Sequence, residues 1–237
     1  VTAKLAGQHT PFIQANTILS APSLVPELLL HLASDVIPFW QATERWLAEE
    51  NVAAPFWAFA WPGGQALARY LLDHPARVAG RRVLDVATGS GIAALAAARA
   101  GAAAVDANDI SDMALSAMVL NALANNLTVT PLAGDIVGAP GRWDLIMAAD
   151  VCYEAPMTRA LLPWLRSLAA TAEVWIADPG RAYLPQEGLE PFAEYDVPTN
   201  VELEDRPVRR TVLYRVSPEG GGKEVRQGAL PLDPAGA

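Results

Sequence analysis

The amino-acid sequence predicts an α/β fold built on a parallel, doubly wound sheet. Three observations carry that expectation. From Arg82 to Ala177, short apolar runs alternate with helix-length segments, the order in which parallel strands and crossover helices follow one another. One of those runs, Val83-Leu84-Asp85-Val86, passes through Ala87-Thr88 into Gly89-Ser90-Gly91 and an alanine-rich stretch reaching Arg99; it reads as strand, glycine turn and helix. Finally, Gly89, Gly91, Asp109, Asp135 and Asp150 all follow strands, at the carboxyl edge where ligands bind in such sheets.

The remaining elements fall around this centre. Residues 1 to about 22 read as irregular, with Gly7, Pro11 and Pro22. Ser23 is placed to cap a helix supported by Glu27 and running over Leu28 to Leu32, and a second helix is expected from Val36 to Glu50. Pro55 to Gln65 packs Phe56, Trp57, Phe59 and Trp61 beside Pro62-Gly63-Gly64, which suits either a hydrophobic plug or one wall of a ligand pocket. A helix from Gln65 to Asp73 ends at His74-Pro75. After Gly101, a strand opens at Ala103-Val105 and leads into Asp106-Ala107-Asn108-Asp109, with a helix over Asp112–Asn125 behind it. Thr128–Leu132 and Trp143–Ala149 read as further strands, the latter apolar throughout and so buried on both faces. A helix over Ala155–Ala170 should be interrupted or kinked near Pro163, and a fifth strand covers Glu173–Ala177. Glu190–Val197 and Arg209–Val216 are plausible strands, and the Gly/Pro-rich end from Pro218 reads as a surface tail.

Composition narrows the partners. The 237 residues, 52% hydrophobic, are enough for one sizeable core. A net charge of -9 argues against sequence-independent nucleic-acid binding, which needs Lys and Arg against phosphate. No apolar run approaches ~20 residues, so no membrane span is expected. The single cysteine, Cys152, forms neither an internal disulfide nor a cysteine zinc cluster, and no His or Cys stands at metal spacing to His31. With no signal-peptide pattern at the N-terminus, the expected location is cytoplasmic.

Gly89-x-Gly91-x-x-Ala94 fits a dinucleotide fingerprint, and a bare turn joining strand to helix is the plainer alternative. Asp85 decides between ligands. A carboxylate just before the turn repels a pyrophosphate but favours a ligand carrying an ammonium and a sulfonium, such as S-adenosylmethionine (SAM). Asp109, about 18 residues beyond Gly91, is then the candidate for the ribose hydroxyls, in preference to Asp106. Asp135 is either an acceptor for the adenine amino group or a turn cap.

Val83 to Gly91 resembles motif I of the class I SAM-dependent methyltransferases, and Asp150-Val151-Cys152-Tyr153 resembles the Asp-x-x-Tyr signature of seven-strand protein lysine methyltransferases. More narrowly, Pro55-Phe56-Trp57-Ala58, Trp61 to Leu67, Tyr70 to Asp73, Ala107 to Ile110 and Asp178-Pro179-Gly180-Arg181 resemble the electron-transfer flavoprotein β-subunit lysine methyltransferase family. That resemblance implies a Rossmann-like seven-strand sheet with a reversed last strand, SAM as methyl donor and lysines of the flavoprotein β-subunit as substrate. It divides the chain into an N-terminal helical extension (1–54), a methyltransferase domain (55–217) and a tail (218–237). Asp85, Gly89, Gly91, Asp109, Asp135 and Trp57 then form the cofactor set. Asp150, Tyr153 and Trp61 form the lysine channel, with Asp150 orienting the amine rather than acting as a strong base. A small-molecule methyltransferase, a nucleotide-dependent oxidoreductase and a non-catalytic binding module are the rival readings.

Overall fold

A computed structural model describes residues 9–33 and 55–218. The expected helix over 36–50 and nearly all of the expected tail lie outside the described residues. Near the N-terminus stand helix α1 (Thr10–Asn16) and a small antiparallel pair, β1 (Ile18–Ser20) and β2 (Leu30–Leu32). The main sheet holds β3 (Arg82–Val86), β4 (Ala104–Asp109), β5 (Thr130–Ala133), β6 (Leu145–Ala149), β7 (Glu173–Asp178), β8 (Leu189–Pro198) and β9 (Val208–Val216). Its order is β5-β4-β3-β6-β7-β9-β8. The first five of these in space pair in parallel; β9, last in the chain, runs antiparallel to both β7 and β8. The doubly wound sheet with one reversed strand is therefore as expected.

The helices are α2 (Pro62–Asp73), α3 (Ile92–Arg99), α4 (Asp112–Ala124), α5 (Ala155–Leu168) and the single turn α6 (Val201–Glu204). Leu67 and Leu71 of α2, Leu95 of α3 and Leu115 and Met118 of α4 share one buried cluster with Val83, Leu145 and Trp175 of the sheet. On the other face, Leu161, Leu165 and Leu168 of α5 meet Leu84, Ile146 and Ile176. Strands covered on both faces carry continuous apolar runs, which is why Leu145 to Ala148 are all buried. Helix α5 passes unbroken through Pro163. Pro163 and Arg159, four residues earlier, are both exposed, so the carbonyl that loses its helical partner faces water.

The expected helix over Ser23–Leu32 is not formed. Pro26 has no N–H to give, and the segment folds through two turns, Pro22–Val25 and Val25–Leu28, into β2. What replaces the helical bonds is tertiary. Asn125 accepts the Leu29 N–H at 2.9 Å and donates to the Leu29 carbonyl at 2.6 Å, while Asn121 accepts the His31 N–H at 2.7 Å and donates to the Ser90 carbonyl at 2.8 Å. Helix α4 is thus buried on nearly every side, between the sheet and the β1–β2 pair.

Asn121 is fully buried and satisfies two backbone groups from segments distant in sequence. Asn121→Leu keeps the volume but orphans both, and is expected to cost about 2–4 kcal/mol in chemical denaturation. An unchanged denaturation midpoint would show that water replaces the amide at no cost.

Candidate active site

Beyond the carboxyl ends of β3, β4 and β6 the chain forms a cleft of about 650 Å³. Its first half is built on the glycine turn. Gly91 begins α3 at φ +82°, and a Cβ there would stand 2.5 Å from Met118 Cγ, so glycine is required both by the backbone and by the neighbour. Gly89, at φ +53°, faces the cleft, where an added Cβ would meet nothing nearer than Trp57 Cα at 3.9 Å. The turn is held from both sides. Asp109 Oδ2 accepts the Gly89 N–H at 3.0 Å, and its Oδ1 accepts the Ser111 N–H at 3.0 Å. Burial pushes the Asp109 carboxyl up, against the pull of those amides.

Asp85 acts from beneath. It is 2% exposed, and its Oδ2 accepts from the Thr88 hydroxyl at 2.5 Å and from the Ala94 N–H at 3.2 Å. It does not line the cleft; it ties the turn to the first turn of α3. Asp135 does not line the cleft either. Its exposed carboxylate takes the Val137 N–H at 2.9 Å, the turn-capping alternative. Trp57, buried, and Ile110 complete an apolar wall over Gly89 and Asp109.

The second half centres on Asp150, which leaves β6 with a φ of +55°, a left-handed conformation for a non-glycine residue. Helix α2 has no side-chain cap of its own. Asp150 Oδ2 meets its N-terminus, accepting the Gly64 N–H at 3.2 Å. A Cβ on Gly63 would lie 2.5 Å from that oxygen and 2.6 Å from the Ala177 carbonyl, which also accepts the Asp150 N–H at 3.0 Å. Asp150 Oδ1 accepts from Arg181 at 2.9 Å. Burial pushes the Asp150 carboxyl up to about 6, opposed by the Arg181 charge and aided by Asp178 and Glu204.

Aromatic rings wall this half. Trp61 Nε1 donates to the Phe56 carbonyl at 2.7 Å. The Phe56 ring lies 5.9 Å from Trp61 and 5.6 Å from Tyr153, so it bridges the two expected channel residues. The Arg181 guanidinium sits 5.7 Å from the Trp61 ring. Cys152 is buried, and burial pushes its thiol up to about 12, which leaves it inert as a nucleophile.

The structure therefore brings Trp57, Gly89, Asp109, Asp150, Tyr153 and Trp61 to one cleft, while Asp85 and Gly91 support its turn and Asp135 stands apart. Sequence reasoning gave no individual role to Gly63, Gly64, Phe56, Arg181 or Glu204, although it read Pro55 to Gln65 as a possible pocket wall. The first four lie within segments the resemblance quotes; Glu204, on a four-residue helix between β8 and β9, has no sequence signal.

The sulfonium and ammonium of SAM suit a cleft with half-buried carboxylates at both ends, and the ribose suits Asp109, which retains unfilled acceptor positions. Fold and cleft together define a class I SAM-dependent methyltransferase. Comparison with known proteins narrows this. A model described as ribosomal protein L11 methyltransferase (PrmA) matches residues 66–151. The electron transfer flavoprotein beta subunit lysine methyltransferase of Danio rerio is 38% identical over 214 residues, covering 86% of this chain and 81% of that protein. Its Homo sapiens counterpart is 35% identical over 217 residues, with 87% and 81% covered. A solved structure, protein 1320 of Thermoplasma acidophilum, superposes with a TM-score of 0.51 at 22% identity over 66% of this chain and 90% of that one, which shows the shared fold alone. The chain belongs to the electron transfer flavoprotein beta subunit lysine methyltransferase family.

Burial pushes the Asp85 carboxyl up to about 7. In the unfolded chain it ionises near its ordinary ~4, so from about pH 4 to about pH 7 the folded state binds a proton that the unfolded state has lost. Asp85 therefore removes stability as the pH rises through that window. Asp85→Asn is expected to flatten the fall in thermal stability between pH 5 and pH 7.5, by up to ~1.4 kcal/mol per pH unit. Parallel curves for the two proteins would exclude Asp85 as the titrating group.

Proposed function

We propose that this protein transfers methyl groups from SAM to lysine of an electron transfer flavoprotein beta subunit. The observation that carries this reading is the joined cleft: the Gly89–Asp109 half opens directly onto an aromatic-walled half with Asp150 as its acid. The relatives' names supply the flavoprotein subunit as substrate. A cytoplasmic location stays part of the reading, and the lone thiol Cys152 gives no sign of an oxidising compartment.

SAM supplies the electrophilic methyl carbon that a neutral lysine amine attacks in line with the departing sulfur. The chain's own residues do the positioning. Asp109 is placed to accept from ribose hydroxyls, and Gly89 leaves room for the ligand to approach the backbone. Phe56, Trp61 and Tyr153 form an aromatic wall against which a lysine methylene stem can lie. A carboxylate favours an ammonium, so Asp150 serves to orient the amine, by accepting one N–H, more than to deprotonate it. Most of the rate gain then comes from alignment.

Asp109→Ala removes a charged acceptor and is expected to weaken SAM binding by roughly 10- to 100-fold in calorimetry, with the protein-substrate KM little changed. Unaltered SAM affinity would take Asp109 out of the ribose site. The central test is mass spectrometry of the flavoprotein beta subunit from the same source after incubation with this protein and labelled SAM. Lysine mass gains in methyl steps, lost with Asp150→Ala while SAM still binds, are expected. Strong SAM binding with no label on that subunit would discard the substrate and keep the methyltransferase.

A further inference from the structure

Asp150 sets a conflict for lysine methylation. A buried carboxylate holds its partner as ammonium, yet only the free amine can attack, and a free lysine near pH 7.4 is neutral about once in a thousand. The structure contains a third party. Arg181 donates to Asp150 Oδ1 at 2.9 Å from one side. From the other, Glu204 holds the same guanidinium through both carboxylate oxygens, at 2.5 and 3.0 Å. Glu204 is 3% exposed and also accepts from Arg209 at 2.9 Å. Asp150 and Glu204 thus balance Arg181 and Arg209 one to one.

We propose that Arg181 is a positioning residue for the reaction: its guanidinium fills the counter-ion place on Asp150, so that the substrate lysine stands in the channel as free amine rather than as ammonium. The inference rests on lysine being the substrate, as proposed above. Three features of the site favour it. The Arg181 side chain lines the cleft beside Asp150 and over Trp61, where the amine must arrive. Its backbone is locked, since Asp178 Oδ1 accepts the N–H groups of Gly180 and Arg181 at 2.8 and 2.6 Å. And arginine keeps its charge at every working pH, with a fork that spans two carboxylates, which lysine cannot do.

Among the described residues, the other ionisable groups facing this point are few. Asp178 lies behind Asp150, its carboxyl pushed up by burial and its Oδ2 without a hydrogen-bond partner. Cys152 beside it is held as thiol, again by burial. Tyr214 of β9 faces Asp178, and burial pushes its hydroxyl up. Across the cleft stand Asp109, Tyr153 and Glu154. None of them supplies a cation, and Arg209 is held on Glu204, so among the described residues Arg181 is the cation in contact with Asp150. A fixed positive charge beside an amine also favours loss of its proton, the way neighbouring cations activate lysine nucleophiles elsewhere.

The experiment is single-turnover methyl transfer to the flavoprotein beta subunit, followed with labelled SAM from pH 6.5 to 9.5. Below the amine's midpoint the rate follows the free-base fraction, tenfold per pH unit. Arg181→Met is expected to move the rate–pH curve up by a unit or more. Its rate then falls at least tenfold at pH 7.5 and approaches the parent rate at 9.5, with SAM affinity within twofold. Arg181→Lys recovers part of the loss. Glu204→Gln, which leaves positive charge in excess, moves the curve to lower pH, opposite to the loss that mere structural damage would give. A loss equal at every pH, or no loss, in Arg181→Met overturns the inference. If that variant does not fold, Glu204→Gln decides, and an unshifted curve overturns the inference. A parent protein that labels no lysine overturns the proposed function and the inference with it; a labelling parent with unshifted variants overturns the inference alone.

Discussion

Asp150 leaves the central strand β6 in a left-handed backbone conformation, and its carboxylate is wedged between a helix N-terminus and a guanidinium. Much of the site follows from that placement. The carboxylate approaches α2 closely because residue 63 is glycine; a methyl group there would collide with it and with the neighbouring strand's carbonyl. Helix α2 in turn starts where it does because Pro62 fits the first helical position and Asp150 supplies the acceptor that its own residues do not. A strained residue, a close helix and a buried ion pair therefore fix one another, at the point where the cleft needs an acid of defined direction.

The cleft's two halves obey different physics. The glycine-turn half is made of backbone: Gly89 and Gly91 adopt conformations other residues avoid, and Asp85 and Asp109 hold the turn through N–H and hydroxyl donors. Asp85 thereby serves the ligand site without lining it. The Asp150 half is made of side chains drawn from distant parts of the chain, with Phe56 and Trp61 before α2, Tyr153 after β6, Arg181 after β7 and Glu204 between β8 and β9. Such a half can change its substrate while the first keeps its ligand. The partial match to a ribosomal protein L11 methyltransferase model, ending at residue 151, stops where the second half's Tyr153, Arg181 and Glu204 begin.

The reversed strand has a role in this division. Because β9 inserts between β7 and β8, the β8–β9 connection returns to the carboxyl edge of the sheet; it delivers Leu203 to the cleft and Glu204 to the guanidinium of Arg181. Trp61 and Leu203 also border a smaller hollow of about 370 Å³, so the same two side chains partition the surface around the site.

By itself the sequence determined the sheet, the glycine turn and most of the cleft's acids. These features are local or periodic: buried strands read as apolar runs, Gly89 and Gly91 mark positive φ, and Asp109 and Asp150 stand where strands end. The motif resemblance added the family, which the relatives bear out. Only the tertiary structure decided the rest. Ser23 to Leu32 carries a helix cap in sequence, but Asn121 and Asn125, about ninety residues away, satisfy its backbone as a turn and strand. Asp135 also follows a strand, but it stands two residues beyond the end of β5, whereas Asp109 ends β4, and its carboxylate closes on the Val137 N–H. Arg181 and Glu204 are 23 residues apart and separated by β8, and no spacing rule joins them. Their pairing exists because an antiparallel strand folds back and brings Glu204 and Arg209 against Arg181, which also holds Asp150.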